Sequence, residues 1–245
     1  MILKGKAVLV TGAAKRVGAV IALACGRRGA RVAVHYRGSE VEAERTAADI
    51  RALGTDAMTV HAELTREDEV ESMMRAVAEK FGSLDVLVNN AAVFFKTPFA
   101  TVTADDWDRT VDSNLKAVFL TCVHAGRRMQ AQSGGGVIVN IADWAGVRPY
   151  TGYLPYCVSK AGVIALTQGL ARTLAPKVRV NAVGPGPVLV PSDLPEAEAR
   201  EIMEKTPLKR HVSPEDVAAA VAFLIEGSDF VTGFLLPVDG GRLIA

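Results

Sequence analysis

Short runs of aliphatic and β-branched residues recur along this chain, each followed by a stretch whose apolar positions return every three or four residues. The runs are Ala7–Val10, Ala30–His35, Met58–Ala62, Leu84–Val88, Val137–Ile141, Val178–Val183 and Phe234–Val238. Runs that are apolar at successive positions predict strands buried on both faces of a parallel sheet. The stretches between them predict helices. One follows Gly18 and ends near Gly29, and a second opens at the capping-box pattern Ser39-Glu40-Val41-Glu42 and runs to about Leu53. A third is capped by Thr65-Arg66-Glu67-Asp68 and turns Val70, Met73, Met74 and Val77 to the core. A long helix from about Asp105 to Gln130 holds Asn114 in its interior and packs Trp107. Another runs from Pro155 to about Ala175, and the last starts at Ser213-Pro214, with proline at the favoured first position. Pro237 cannot donate to a ladder, which places the final strand at the sheet edge.

Strand and helix alternate from end to end with no long linker, repeat or low-complexity tract. That predicts one α/β domain over residues 1–245, a parallel sheet of about seven strands with helices on both faces. The Pro- and Glu-rich stretch from Val188 to Lys205 interrupts the alternation and is expected to form a lid over a site.

Composition narrows the function classes. With 49% hydrophobic residues in 245, the chain has ample core, and a formal net charge of +1 argues against nucleic acid as partner. Cys25, Cys122 and Cys157 are odd in number and lack metal-type spacing, so reduced thiols in a cytoplasm and no metal site are expected. Charges interrupt Met1–Lys6 where a signal peptide needs its apolar core, and no apolar run reaches membrane-spanning length. The expectation is a cytoplasmic protein acting on a small molecule.

The candidate chemistry lies where strands end. The first strand feeds Thr11-Gly12-Ala13-Ala14-Lys15-Arg16-Val17-Gly18. Gly12 permits a tight turn, Gly18 close helix–strand packing, and the amides opening the helix suit a diphosphate. The second strand ends in His35-Tyr36-Arg37-Gly38-Ser39 without the acid that would hold a ribose 2′-hydroxyl. Arg16, Arg37 and Ser39 suit a 2′-phosphate instead, favouring NADPH over NADH; the alternative is solvated surface arginine. Asn89-Asn90-Ala91-Ala92 closes the fourth strand, and at least one of the neighbouring Phe94 and Phe95 is expected to line a pocket. Tyr156 and Lys160, four apart, project from one helix face, where an ammonium lowers a phenol's pKa toward the range of a general acid.

Taken together, Thr11-Gly12 with Arg16-Val17-Gly18, Asn89-Asn90-Ala91, Asn114, Tyr156 with Lys160, and Pro185-Gly186 resemble the short-chain dehydrogenase/reductase pattern over essentially the full chain. The resemblance implies a Rossmann-type doubly wound sheet, a nicotinamide cofactor, hydride transfer and a homotetramer built through the helices of Asn114 and Tyr156. It implies Tyr156 as acid/base, Lys160 as the group that lowers its pKa and holds the nicotinamide ribose, and Asn114 as positioning a relay water. By the same likeness the cofactor is lined by Gly12, Arg16, Val17, Gly18, His35, Tyr36, Arg37, Ser39, Glu63, Leu64, Asn90, Ala91, Ala92, Tyr156, Lys160, Pro185, Gly186 and Val188. Two positions depart from the family pattern: arginine replaces glycine at 16, and aspartate replaces serine at 143. Both, with His35-Tyr36 and Ser39, resemble the pteridine reductases, which implies Phe94, Tyr153, Asp143 and Arg16 as substrate contacts. Glu63 stands where an aspartate more often meets the adenine.

A carboxylate at 143 repels a developing alkoxide, so Asp143 must be protonated or must serve a different acceptor, such as a ring nitrogen. The leading expectation is NADPH-dependent reduction of a dihydropterin- or dihydrofolate-like ring. The alternative is a carbonyl reductase acting on a 3-oxoacyl thioester, sugar or small ketone. A third is a non-catalytic NADP-binding regulator, and the presence of the whole Tyr156, Lys160 and Asn114 set argues against it. For Asp143 the plain alternative is a structural cap.

Overall fold

The structure, a computed structural model, describes residues 1–188, 200 and 203–245. Seven strands form one sheet: β1 (Ala7–Val10), β2 (Arg31–Tyr36), β3 (Ala57–His61), β4 (Val86–Asn89), β5 (Gly136–Ile141), β6 (Val178–Pro185) and β7 (Leu235–Val238). Their order is β3-β2-β1-β4-β5-β6-β7, and every pairing is parallel. This is the expected Rossmann-type doubly wound sheet. β7 is an edge strand, with Pro237 opposite Gly184.

The pleat divides the core in two. Leu9, Leu87, Ile138 and Val180 pack with α3 (Glu67–Phe81), α5 (Ala117–Ala131) and α6 (Leu154–Leu174). Val8, Val10, Val86, Val88, Val137 and Val139 pack on the other face with α1 (Arg16–Gly26), α2 (Glu40–Ala52) and α7 (Pro214–Ala222, the helix after Ser213). Each fully buried aliphatic contributes about 1.5–3 kcal/mol, and a one-residue slip in register would exchange the two faces. That shared requirement is why these strands read as continuous apolar runs.

Helix starts differ from expectation in two places. Ser39 is the N-cap of α2 but makes no side-chain cap bond. Thr65 does not cap α3; its hydroxyl donates to Glu63 Oε1 at 3.0 Å, and the helix opens at Glu67 with three acids in its first turn. Those acids favour the positive end of the helix dipole without a cap. By contrast Ser213 and Asp216 form a reciprocal capping box on α7, with Pro214 in its first turn.

The long helix around Asn114 is three pieces: α4 (Ala104–Val111), a π-helical turn Asp112–Lys116, and α5. Such turns widen the hydrogen-bond ladder by one residue and re-aim the side chains they carry. Here the widened turn buries Asn114 completely. Trp107 on α4 is 42% exposed, so it is not the packing residue expected. Of the expected lid, residues 189–199, 201 and 202 lie outside the described residues. Among the described residues no helix is long and apolar enough to cross a membrane.

Candidate active site

The strand order reverses between β1 and β4, which opens a crevice beyond the carboxyl ends of those strands. Two turns border it and are tied together. Thr11 Oγ1 accepts from the amides of Asn90 (2.9 Å) and Ala91 (3.1 Å), while Asn90 Nδ2 donates to the carbonyls of Thr11 (3.0 Å) and Gly12 (3.1 Å). Gly12 has φ +60, and a Cβ on Gly18 would stand 2.3 Å from the Gly12 carbonyl oxygen. Both glycines therefore follow from close backbone approach.

His35 is corrected from the cofactor lining to a support behind it. Its Nδ1 accepts from the Gly12 amide at 2.9 Å and its Nε2–H donates to the Ala62 carbonyl at 3.0 Å. Both ring nitrogens are used inside the protein, and burial lowers the imidazole to about 4, so it is neutral at pH 7. The Leu64 side chain packs into the core that α3 covers, which leaves its backbone as the part that can meet a cofactor.

Arg16 adopts φ +57, the left-handed region that glycine occupies without strain. The glycine of the family pattern thus matches the backbone, and arginine holds the same conformation at a cost of about 1–2 kcal/mol. Its side chain is exposed. The amides of Arg16, Val17 and Gly18 have no protein acceptor among the described residues, so the start of an 11-residue helix presents donors to the crevice. Arg37, exposed at the end of β2, pairs with Glu63 Oε2 at 3.2 Å. Glu63 Oε1 accepts from both the amide and the hydroxyl of Thr65. Tyr36 sets its ring edge-on to His61 at 5.5 Å. Ala92 follows the β4 turn; Pro185 ends β6, with Gly186 and Val188 just beyond it. These donors and small residues line the carboxyl edge and suit a nicotinamide dinucleotide.

The side chains expected to carry the chemistry converge at the carboxyl end of β5 and the first turns of α6. Tyr156 Oη donates to Asp143 Oδ2 at 2.7 Å, and the other carboxyl oxygen accepts the Ala145 amide at 2.8 Å. Asp143 is therefore both a cap, on the 3₁₀ turn Trp144–Gly146, and the partner of the tyrosine. Lys160 Nζ donates to the Ile141 carbonyl at 2.8 Å and lies 5.7 Å from the Tyr156 ring centroid. Burial, followed by the Asp143 charge, raises the Tyr156 phenol well above its usual 10. This direction is opposite to the lowering expected from Lys160, with burial and then the Asp143 charge as its causes. Burial raises Asp143 against the Ala145, Tyr156 and Lys160 interactions, and lowers Lys160 to about 8.

Asn114 uses its whole carboxamide as a clamp. Oδ1 accepts the Val93 amide at 2.8 Å and Nδ2 donates to the Val93 carbonyl at 2.9 Å, with Ser159 Oγ at 3.4 Å. That holds the loop carrying Phe94, whose ring is 4.8 Å from Tyr156 and 53% exposed. Phe94 and Tyr153 stack at 4.5 Å with planes 6° apart, forming one wall of the site. Phe95 turns away beneath the Arg109 guanidinium. Beneath the site runs a buried network in which only Asn89 belongs to a motif of the sequence. Thr121 Oγ1 donates to Asn89 Oδ1, Asn89 Nδ2 to Asn140 Oδ1, and Asn140 Nδ2 to Thr167 Oγ1, at 2.8, 2.9 and 2.9 Å. Asparagines inside apolar strands were its signal, since a buried amide requires partners.

Comparison with known proteins agrees with this geometry. The family described as "Enoyl-(Acyl carrier protein) reductase" matches residues 12–242. The 3-oxoacyl-[acyl-carrier-protein] reductase FabG of Staphylococcus aureus is 38% identical over 242 residues, covering 96% of this chain and 97% of that protein. The 3beta-hydroxysteroid dehydrogenase 1 of Eggerthella lenta is 36% identical, covering 99% and 95%. A solved structure of a putative short-chain alcohol dehydrogenase from Sinorhizobium meliloti superposes with TM-score 0.94 at 33% identity, covering all of both chains. With sheet order, glycine turn and tyrosine–lysine helix inside a likeness that spans the chain, this protein belongs to the short-chain dehydrogenase/reductase family of oxidoreductases.

Proposed function

We propose that the protein reduces the carbonyl group of a 3-oxoacyl thioester or similar ketone with NADPH. The observation that carries the reading is the Tyr156 hydroxyl, kept protonated by burial and aimed by Asp143 beside an ammonium. A phenol that retains its proton at pH 7 is a donor, which suits reduction better than oxidation. The names of the Staphylococcus aureus relative and of the matching family, both reductases of acyl-carrier substrates, support the substrate class.

In this reading the bound nicotinamide supplies a hydride. The chain does the rest. The amides of Arg16, Val17 and Gly18 bind the diphosphate, and Arg16, Arg37 and Ser39 meet the 2′-phosphate. Tyr36, Glu63, Asn90, Ala91, Ala92, Pro185, Gly186 and Val188 border the remainder. Tyr156 passes its proton to the substrate oxygen, and the Lys160 ammonium offsets the phenolate left behind. Asp143, whose two carboxyl oxygens accept the Ala145 amide and the Tyr156 hydroxyl, positions that hydroxyl for the transfer. Asn114 sets Phe94 through Val93, and Phe94 with Tyr153 bounds the substrate.

A second reading, reduction of a dihydropterin-like ring, is favoured by one observation, the carboxyl at 143 bonded to the tyrosine. Asp143 and Tyr156 would then relay a proton to a ring nitrogen, with the flat substrate resting on Phe94. NADPH oxidation with acetoacetyl-CoA and with dihydrobiopterin separates the two. Turnover of the thioester, retained within about threefold in Asp143→Ser, is expected under the first; one lost hydrogen bond there is compensated by the new hydroxyl. Turnover of the pterin alone, falling about 100-fold in Asp143→Ser, would replace it with the second.

The assembly proposed is a homotetramer in the cytoplasm. Its support is Phe119 on α5 and Val158 on α6, both exposed apolar side chains on the helices expected to pair. Light scattering is expected to give four times the 25.9 kDa chain mass; a monomer mass would refute it.

A further inference from the structure

The turn that presents Asp143 is held from outside the site. Trp144, the next residue, is buried, and the Arg242 guanidinium lies 5.1 Å over its ring. The indole also meets Tyr150 at 5.6 Å. Arg242 in turn is fixed on three sides. Its Nη1 donates to Thr206 Oγ1 at 3.5 Å. Arg148, one turn beyond Trp144, donates to the Arg242 carbonyl at 3.2 Å and to the Ala245 carbonyl. Asp239, at the end of β7, accepts the amides of Gly241 and Leu243 on either side of it, at 2.9 and 2.7 Å.

We infer that Arg242 is a positioning residue for the Asp143 carboxyl, acting through Trp144. The linkage is short. A guanidinium over a desolvated indole is worth up to about 2 kcal/mol, enough to decide how the ring sits. The ring's seat fixes the Trp144–Gly146 turn, and that turn supplies the Ala145 amide to Asp143 Oδ1. With Oδ1 anchored, Oδ2 has one direction left, toward the Tyr156 hydroxyl. Removing the cation frees the indole to shift, and the carboxyl loses its aim without losing any group of its own. A misplacement of about 1 Å at a reacting geometry costs on the order of 100-fold in rate.

The consequence for turnover rests on the proposed reductase activity; the geometric linkage does not. The test uses Arg242→Gln, which keeps polarity and reach but removes the cation, and Arg242→Lys, which restores it. Two quantities are read in the full chain: kcat against KM for the active substrate, and the carboxyl carbon resonance of Asp143, assigned by its absence in Asp143→Asn. Arg242→Gln is expected to shift that resonance and lower kcat at least 10-fold, with KM for NADPH unchanged. Arg242→Lys is expected to recover most of both. An Asp143 resonance that stays at its wild-type position in folded Arg242→Gln overturns the inference, whatever the substrate. So does an Arg242→Lys variant that folds normally yet matches Arg242→Gln in both readouts. A wild-type chain that turns over neither thioester nor pterin would sink the functional reading alone and leave the resonance to decide this one.

Discussion

Replacing Tyr156 by phenylalanine is expected to lower kcat about 1,000-fold while leaving NADPH affinity within about twofold. The change deletes one oxygen from a side chain that is otherwise packed on Ala145 and Cys157, so the wall of the site stays in place. What disappears is the proton donor. The variant also strips Asp143 Oδ2 of its bond, and a buried carboxyl without that donor is driven further toward its neutral form. A stability loss of about 1–2 kcal/mol should accompany the kinetic one. Steady-state rates together with the fluorescence of bound NADPH separate these effects. Retention of more than a tenth of wild-type kcat would mean that the proton comes from another group at the site.

The same pair shows where reading the sequence succeeds and where it stops. Tyr156 and Lys160 are legible because a helix repeats every 3.6 residues, so a spacing of four states their proximity. What each bonds to is set by the end of β5, contributed by a stretch more than a dozen residues away. Lys160 donates to Ile141 and Tyr156 to Asp143. Strands were legible for a related reason: burial on both faces forces aliphatic residues at every position, as in Val86-Leu87-Val88. Caps were less so. Ser39 and Ser213 open equally plausible boxes, yet only Ser213 closes one, because at α2 the extended backbone angles of a cap are absent. The π-helical turn at Asn114 and the Asn89–Asn140–Thr167 chain depend on partners from four different elements, which no local pattern encodes.

Acidification is expected to unfasten the glycine turn through His35. The imidazole accepts the Gly12 amide, which only a neutral ring can do, and burial holds its pKa near 4 against 6.5 in a free chain. Between those values the unfolded chain binds a proton that the folded one refuses. Stability therefore falls as pH drops from 6.5 toward 4, by roughly 3 kcal/mol in total, and is insensitive to this group above 6.5. In His35→Asn the amide can still accept from Gly12, but it carries no proton equilibrium. Urea unfolding at pH 7 should find that variant less stable by about 1–2 kcal/mol, the cost of an imperfect replacement. At pH 4.5 the order should narrow or reverse, because only the wild type bears the acid penalty. Since the Gly12 carbonyl also accepts from Asn90 Nδ2 at the crevice, the same titration should weaken NADPH binding in the wild type before global unfolding sets in. A stability difference between the two proteins that stays constant from pH 7 to 4.5 would show that the His35 ring is charged, or solvated, in the native fold, and the tautomer that seats the Gly12 turn would have to be reassigned.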